Sequence, residues 1–338
     1  MEFSSNHSII WIILAGFLIS LLTSSIIILI SKKFHIFIDK IDNLKPQRFH
    51  NIPTSRAGGI GIFVSFFIIF LIFKDTNLYF LLAIAIVFCS GLLEDFSTSL
   101  SPKARLYIQL LGSAIAVFGM QASITNLSPI ITLPYFAGIA LALFGIVGVC
   151  NAMNIIDGFN GLAGGFSLMV FLCIAIVAFI LKVDFIFFTS IIGIASTMGF
   201  LALNFPKGKI FLGDGGAYML GFIIALLLAI LAQKNVGISA WFGLAVMIYP
   251  VWEVIYSMIR RVLNKKSTTE PDKEHLHTLI YSKIKNNPLT ATLIWLFNLP
   301  FMVLAVVFMH DDWILIGISI AFIIIYMLIY KKLLSSNS

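Results

Sequence analysis

The sequence predicts an all-α polytopic integral membrane protein, on three observations. Mean hydropathy is +1.04, with 60% hydrophobic and 11% charged residues, where an ordinary soluble domain carries about 25% charged residues. The apolar runs approach the ~20 residues that a helix needs to cross a bilayer core. Lys and Arg fall almost entirely in alternate connecting segments, as the positive-inside rule requires.

Apolar runs lie near 8–31, 57–73, 78–93, 106–120, 133–149, 162–181, 185–203, 217–232, 238–258, 289–309 and 313–330, which predicts about eleven transmembrane helices. The first run follows a start, Met1 to His7, that lacks basic residues, so no cleavable signal peptide is expected. An odd number of spans puts the termini on opposite sides. With the N-terminus outside, the segments 32–56, 94–105, 150–161, 204–216, 259–288 and 331–338 lie inside and hold every Lys and Arg except Lys74, Lys182 and Lys234. Most outside connections are short, whereas the inside loops are rich in Asp, Asn, His and Gly, which places the chemistry on the cytoplasmic face. The net charge of +7 therefore reads as topology and not as a nucleic-acid footprint. Cys89, Cys150 and Cys173 have no paired spacing and read as small core residues. No repeat is visible, and the chain 1–338 reads as one helical-bundle domain, with Ser335-Ser336-Asn337-Ser338 as a disordered tail.

Five inside segments carry candidate chemistry. The first is Gly91-Leu92-Leu93-Glu94-Asp95, with Lys103 and Arg105 close behind. Adjacent carboxylates can hold a divalent metal and the basic pair a phosphate, while a solvated helix end with a salt bridge accounts for the same residues. The second runs from Asn151 through Asn154, Asp157 and Asn160 to Gly165. On a helix Asn151, Asn154 and Asp157 share a face. This segment has no Lys or Arg to pair with Asp157, and an unpaired carboxylate between spans is costly; small-residue helix packing explains the glycines but not Asp157.

The third segment, Phe211-Leu212-Gly213-Asp214-Gly215-Gly216, sets a lone carboxylate at the start of a span. Helix capping explains part of it, and the glycines leave room for a metal-bound diphosphate. The fourth, Pro271-Asp272-Lys273-Glu274-His275-Leu276-His277, sits in the largest and most basic loop. His-x-His can bind a metal or a phosphate, or form a solvated pair; His7, His35, His50 and His310 are dispersed, which argues against zinc. The fifth, Gln47 to Gly61, puts Arg48, His50 and Arg56 before a glycine-rich helix start, a pattern that suits an anion site or a lipid anchor. Glu253, just inside a span, is an intramembrane carboxylate and hence a functional candidate, with Arg260 and Arg261 near enough to neutralise it.

Taken in order, these segments resemble the polyprenyl-phosphate N-acetylhexosamine-1-phosphate transferase superfamily, glycosyltransferase family 4. The resemblance runs from Pro53 to His277 and rests on four motifs in the family's order. The family's acidic pair falls on Glu94-Asp95, its Asn-x-x-Asn-x-x-Asp-Gly stretch on Asn151, Asn154 and Asp157, its Gly-Asp on Gly213-Asp214, and its histidine loop on His275 and His277. The Pro-Asp-x-x-His-Leu-His form looks more like the undecaprenyl-phosphate N-acetylglucosamine-1-phosphate transferase branch than the phospho-N-acetylmuramoyl-pentapeptide-transferase branch. Three positions depart from the pattern: Glu94 where the first Asp is usual, Asn160 where a second Asp is common, and Thr278 where a third His often lies.

The resemblance implies transfer of an N-acetylhexosamine-1-phosphate from a UDP-sugar, UDP-N-acetylglucosamine or a related UDP-N-acetylated sugar, to undecaprenyl phosphate. UMP is released, and the lipid diphosphate-sugar starts O-antigen or another envelope glycan. It further implies a bacterial inner membrane with the active site facing the cytoplasm, Mg2+ with Mn2+ as its substitute, and the lipid bilayer but no nucleic acid as partners. Monomer and homodimer are both open. By resemblance Glu94, Asp95, Asp157, Asp214 and His275 are catalytic, and Asp214 binds the metal with Asp95 or Asp157. Substrate contacts fall to Asn151, Asn154, Asn160, His277, Arg56, Lys103 and Arg105. A step in which a lipid phosphate oxygen attacks the β-phosphorus is catalysed mainly by positioning and charge neutralisation. The second pKa of a phosphate monoester is about 6, so the acceptor needs no strong base and Asp95 mainly positions charge; a covalent aspartyl-phosphate route is the alternative. A polytopic secondary transporter is the rival class, but transporters keep their ionisable residues near the midplane in broken helices of related halves.

Overall fold

The structure is a computed structural model that describes residues 6–39, 54–72, 77–96, 100–233, 237–265 and 274–335. Arg48, His50, Lys74, Lys234, the stretch Pro271-Asp272-Lys273 and the tail 336–338 lie outside the described residues. With no water in a bilayer core, backbone groups must bond within their own segment, and the apolar runs accordingly form helices. These are α1 (Asn6–Phe34), α2 (Gly58–Ile72), α3 (Leu78–Asp95), α4 (Pro102–Gly119), α5 (Tyr135–Ile156), α6 (Leu162–Leu181), α7 (Asp184–Asn204) and α8 (Gly213–Leu231). There follow α9 (Trp241–Val246), α10 (Ile248–Leu263), α11 (Leu276–Ile284), α12 (Asn287–Val307) and α13 (Asp312–Ser335). The described residues also hold two antiparallel pairs of two-residue strands, β1 (Ile38–Asp39) with β2 (Thr54–Ser55), and β3 (Asn126–Leu127) with β4 (Ile131–Thr132).

Eight helices, α1, α3, α5, α6, α7, α8, α12 and α13, are long and apolar enough to cross a membrane among the described residues. Three expected spans take other forms. The run near 57–73 is the 15-residue α2. The run near 106–120 belongs to α4, whose first turns carry Lys103 and Arg105. The run near 238–258 is split at Met247 into α9 and α10, because Pro250 lacks the N–H that would bond the carbonyl of Val246. The surface is that of a membrane protein: Trp11, Phe144 and Leu263 are 69%, 78% and 76% exposed, and they are part of an apolar exterior too extensive for a soluble monomer. The chain is an all-α, multi-pass membrane protein. Cys150 and Cys173 are buried as expected, whereas Cys89 is exposed on α3.

Helix α8 is the centre of the bundle, almost wholly buried among α2, α3, α5 and α6. Its first turn is seated by glycines that let backbones meet, the usual device where lipid gives helices no hydrophobic drive to associate. A Cβ on Gly91 of α3 would stand 2.6 Å from the Asp214 carbonyl oxygen and closer still to the Gly215 amide nitrogen, and one on Gly59 of α2 would strike Gly216. Gly213 has a φ of +77°, and a Cβ there would strike the Arg56 carbonyl oxygen. The space at these glycines is thus filled by neighbouring backbone and is not room for a diphosphate.

The chain entering α2 lies beside the chain entering α8. Phe211 N–H donates to the Ser55 carbonyl, and the Gly58 and Gly59 N–H groups donate to the carbonyls of Phe211 and Leu212, each at 2.8 Å. The loops grouped on the inside by the sequence meet one another at this end of α8. At its other end Gln233 bonds the Gln121 carbonyl, and Trp241 bonds the Ser128 carbonyl.

Gly91→Ala is expected to lower the thermal unfolding midpoint of the detergent-purified protein, an overpacking cost of about 1–3 kcal/mol. Gly148→Ala, where a Cβ meets nothing within 4 Å, is expected to leave the midpoint unchanged or raise it through helix propensity, by up to about 1 kcal/mol.

Candidate active site

Asp214 lies in the first turn of α8, where unpaired backbone N–H groups favour negative charge. Those groups are taken by Asp95, the last residue of α3: the Asp214 N–H donates to Asp95 Oδ1 and the Gly215 N–H to Oδ2, both at 3.0 Å. One carboxylate therefore caps the helix, and the next is left to other partners. Arg105 Nη1 donates to Asp214 Oδ2 at 2.9 Å and contacts Tyr218 Oη at 3.2 Å. Arg56 Nη2 reaches Asp214 Oδ1 at 3.4 Å, and Asn154 Nδ2 donates to the same oxygen at 3.0 Å.

Each partner is delivered by a local feature of the chain. Arg105 projects from the start of α4, which is set by the Ser101 cap and Pro102 in the first turn. Arg56 follows β2, whose pairing with the chain before α8 brings it alongside Asp214. Asn154 is in the last turn of α5.

Asp157 is the residue that ends α5, three positions beyond Asn154. Its carboxylate is half-buried and has no hydrogen-bond or ion-pair partner among the described residues. Burial pushes it from the ordinary 3.8 up to about 7, the Arg56 guanidinium opposing the shift and the Asp214 carboxylate adding to it. The histidine loop closes over this turn. The rings of His275 and His277 stack at 5.2 Å and 9°, His277 meets Phe159 edge-on at 5.6 Å, and a Cβ on Gly158 would stand 3.6 Å from His277 Nε2.

Other residues singled out by the sequence stand apart from Asp214. Glu94 accepts the Leu100 N–H at 3.1 Å and so holds the chain that enters α4. Lys103 is exposed, with no ion-pair partner among the described residues. Asn151 donates to Gln109 Oε1 and to the Val147 carbonyl, both at 2.8 Å. The Asn160 N–H donates to Asn287 Oδ1 at 2.7 Å, and its side chain to the Pro206 carbonyl at 3.1 Å. Glu253 is paired by His275 at 2.9 Å, whereas Arg260 pairs with Glu274 at 3.1 Å.

Three participants escaped the sequence reading. Tyr218 and Gln109 lie four residues beyond Asp214 and Arg105, so helical spacing was a usable signal. Asn204, which accepts the Gly161 N–H at 2.6 Å and donates to the Ile210 carbonyl at 2.7 Å, joins two loops distant in sequence and left none.

The donors fit a hard divalent cation. Asp157 offers carboxylate oxygen without a partner among the described residues, close enough to Asp214 to feel its charge. No cluster of three or more His, Cys, Asp or Glu side chains converges among the described residues, so such an ion would complete its shell with water and substrate phosphate, as Mg2+ commonly does.

Residues 77–232 match the model of glycosyl transferase family 4, a stretch that includes Asp95, Arg105, Asn154, Asp157 and Asp214 but neither Arg56 nor the histidine loop. A protein of Bacillus subtilis (strain 168), described as a probable undecaprenyl-phosphate N-acetylglucosaminyl 1-phosphate transferase, is 32% identical over 322 residues, 93% of this chain and 89% of its own. The undecaprenyl-phosphate alpha-N-acetylglucosaminyl 1-phosphate transferase of Thermotoga maritima is 28% identical over 278 residues, 79% of this chain and 80% of its own. The protein of the same description in Escherichia coli (strain K12) is 28% identical over 254 residues, 71% and 68% of the two chains. The chain belongs to glycosyl transferase family 4.

The raised Asp157 pKa links folding to pH. Between about pH 4 and 7 the native state keeps a proton that the unfolded chain releases, so Asp157 makes stability fall as pH rises through that window. In metal-free detergent solution, thermal unfolding from about pH 5 to about pH 8 is expected to show this decline, and Asp157→Asn is expected to flatten it. An equal slope in the two proteins would contradict the raised value.

Proposed function

We propose that this protein transfers N-acetylglucosamine-1-phosphate, or a closely related N-acetylhexosamine-1-phosphate, from a UDP-sugar to undecaprenyl phosphate, releasing UMP. The observation that carries the reading is the convergence of Arg56, Arg105 and Asn154 on Asp214 beside Asp157, which is unpaired among the described residues. Two guanidiniums at one point suit a diphosphate, and the descriptions of the relatives supply its substrate class. The clusters sit at one end of α8 and not midway along the bundle, which favours an enzyme of the membrane surface over a transporter.

In this reading a lipid phosphate oxygen attacks the β-phosphorus, the bond from that phosphorus to its bridging oxygen breaks, and UMP leaves with the electron pair. Arg56 and Arg105 bind the diphosphate oxygens, and Asn154 orients them. Asp95 acts through the helix that it caps, His275 and His277 hold phosphate, and the exposed Lys103 meets the anionic acceptor. Asn151 shapes the site by tying α5 to α4, Asn160 through the loops it braces, and Glu94 by holding the chain that enters α4. Asp157 and Asp214 would hold Mg2+, or Mn2+ in its place. Bound there, the ion would neutralise charge on the diphosphate. The distribution of Lys and Arg supports an outside N-terminus and a site facing the cytoplasm of a bacterial inner membrane, with α2, α4 and the α9–α10 pair as the remaining crossings. The product would start an envelope glycan such as O-antigen.

Purified protein given undecaprenyl phosphate, Mg2+ and a panel of UDP-N-acetylhexosamines is expected to release UMP with one preferred donor. Asp214→Asn is expected to lower the rate on the order of a hundredfold; an undiminished rate would remove Asp214 from the mechanism. Separately, Mg2+ is expected to raise the thermal midpoint of the wild type but not of Asp157→Asn. An equal shift in both proteins would take Asp157 out of the cation site.

A further inference from the structure

Helix α10 holds the histidine loop at three points. Tyr249 Oη pairs with His277 Nδ1 at 3.0 Å. The Glu253 carboxylate accepts from His275 Nδ1 and from the Leu276 N–H, both at 2.9 Å. Arg260 Nε pairs with Glu274 at 3.1 Å. At about 100° per residue, positions 249, 253 and 260 fall within about 40° of one another around the helix, so a single stripe of α10 faces the loop. Helix α11 starts at Leu276 with no side-chain cap of its own, and Glu253 supplies the missing acceptor from another helix. Glu253 is 1% exposed, and a carboxylate so deeply buried persists only when paired and hydrogen-bonded.

We infer that Glu253 is a positioning residue for the transfer reaction, fixing His275 through Nδ1 so that Nε2 is the nitrogen presented to substrate phosphate, and that Tyr249 orients His277 in the same way. The inference rests on the transferase reading above. A ring whose Nδ1–H is held by a carboxylate has one tautomer and one orientation. Once Nε2 also donates to a phosphate oxygen the ring is an imidazolium, and Glu253 is the carboxylate that balances it. His277 stacks on His275 and reaches Gly158 beside Asp157, so the arrangement extends from α10 to the carboxylate cluster.

Glu253→Gln keeps the side-chain size and an acceptor for the Leu276 N–H but removes the charge facing His275. It is expected to raise KM for the UDP-sugar about tenfold while kcat stays within about threefold. In a His275→Ala background the same change is expected to add less than about twofold. In 15N-histidine spectra the Nδ1 signal of His275 is expected to move in Glu253→Gln, and that of His277 in Tyr249→Phe. Wild-type kinetics in Glu253→Gln, or losses that multiply in the double variant, would overturn the inference, because Glu253 would not then act through His275. A wild type without transferase activity would overturn the functional reading instead, and the spectra would still decide whether Glu253 fixes the ring. If Glu253→Gln does not fold, Glu253→Asp, which keeps the charge on a shorter arm, is expected to show the same KM-specific loss; an unchanged KM there would overturn the inference.

Discussion

The carboxylate of Asp95 on the Asp214 and Gly215 N–H groups, in the first turn of α8, is the contact from which the rest of the site follows. A helix start buried in a bundle has N–H groups that nothing in its own helix satisfies, and here the end of a neighbouring helix supplies the acceptor. The contact needs α3 and α8 to touch backbone to backbone, which Gly91, one turn before Asp95, allows. With the start of α8 fixed, the position of Asp214 is fixed as well. Arg56 is brought to the same point by the strand-like pairing of residues 55–59 with 210–212, and Asn154 by the end of α5.

Charge then sets what the site accepts. Asp214 is met by two guanidiniums and an amide, a dense set of donors for one carboxylate. Asp157, a short distance away, has no such partner among the described residues, and its proton is retained toward neutral pH. In the proposed reading a metal diphosphate would relieve both conditions together, the anion taking the arginines and the cation the carboxylates. This pairing of surplus donors with an unsatisfied acid is a stronger argument for a metal-diphosphate ligand than any one residue type.

The membrane class, the order of the motifs and the grouping of loops at one end were all legible in the sequence, because each is written in composition, spacing or the alternation of Lys and Arg. Asp95, Asn154, Asp214 and Arg105 were legible as candidates, but their division of labour was not. Nothing in Glu94-Asp95 says that one acid holds the chain entering α4 while the next caps α8, five helices later. The glycines around Asp214 read as open space and proved to be contact surfaces, since a missing side chain looks the same in a sequence whether a ligand or a backbone fills the gap. The break between α9 and α10 was marked only by Pro250 within an otherwise apolar run. Glu253 was visible as an intramembrane acid, yet its partner came from a loop more than twenty residues on and not from the arginines nearer in sequence.

The central claim is that Arg56 and Arg105 converge on Asp214 in order to receive a diphosphate. A structure determined with UDP-N-acetylglucosamine and Mg2+ bound tests it most directly. The expected result has diphosphate oxygens within hydrogen-bond distance of both guanidiniums and the Asp214 carboxylate turned to the cation. A diphosphate bound elsewhere, with both arginines still closed on Asp214, would contradict the claim.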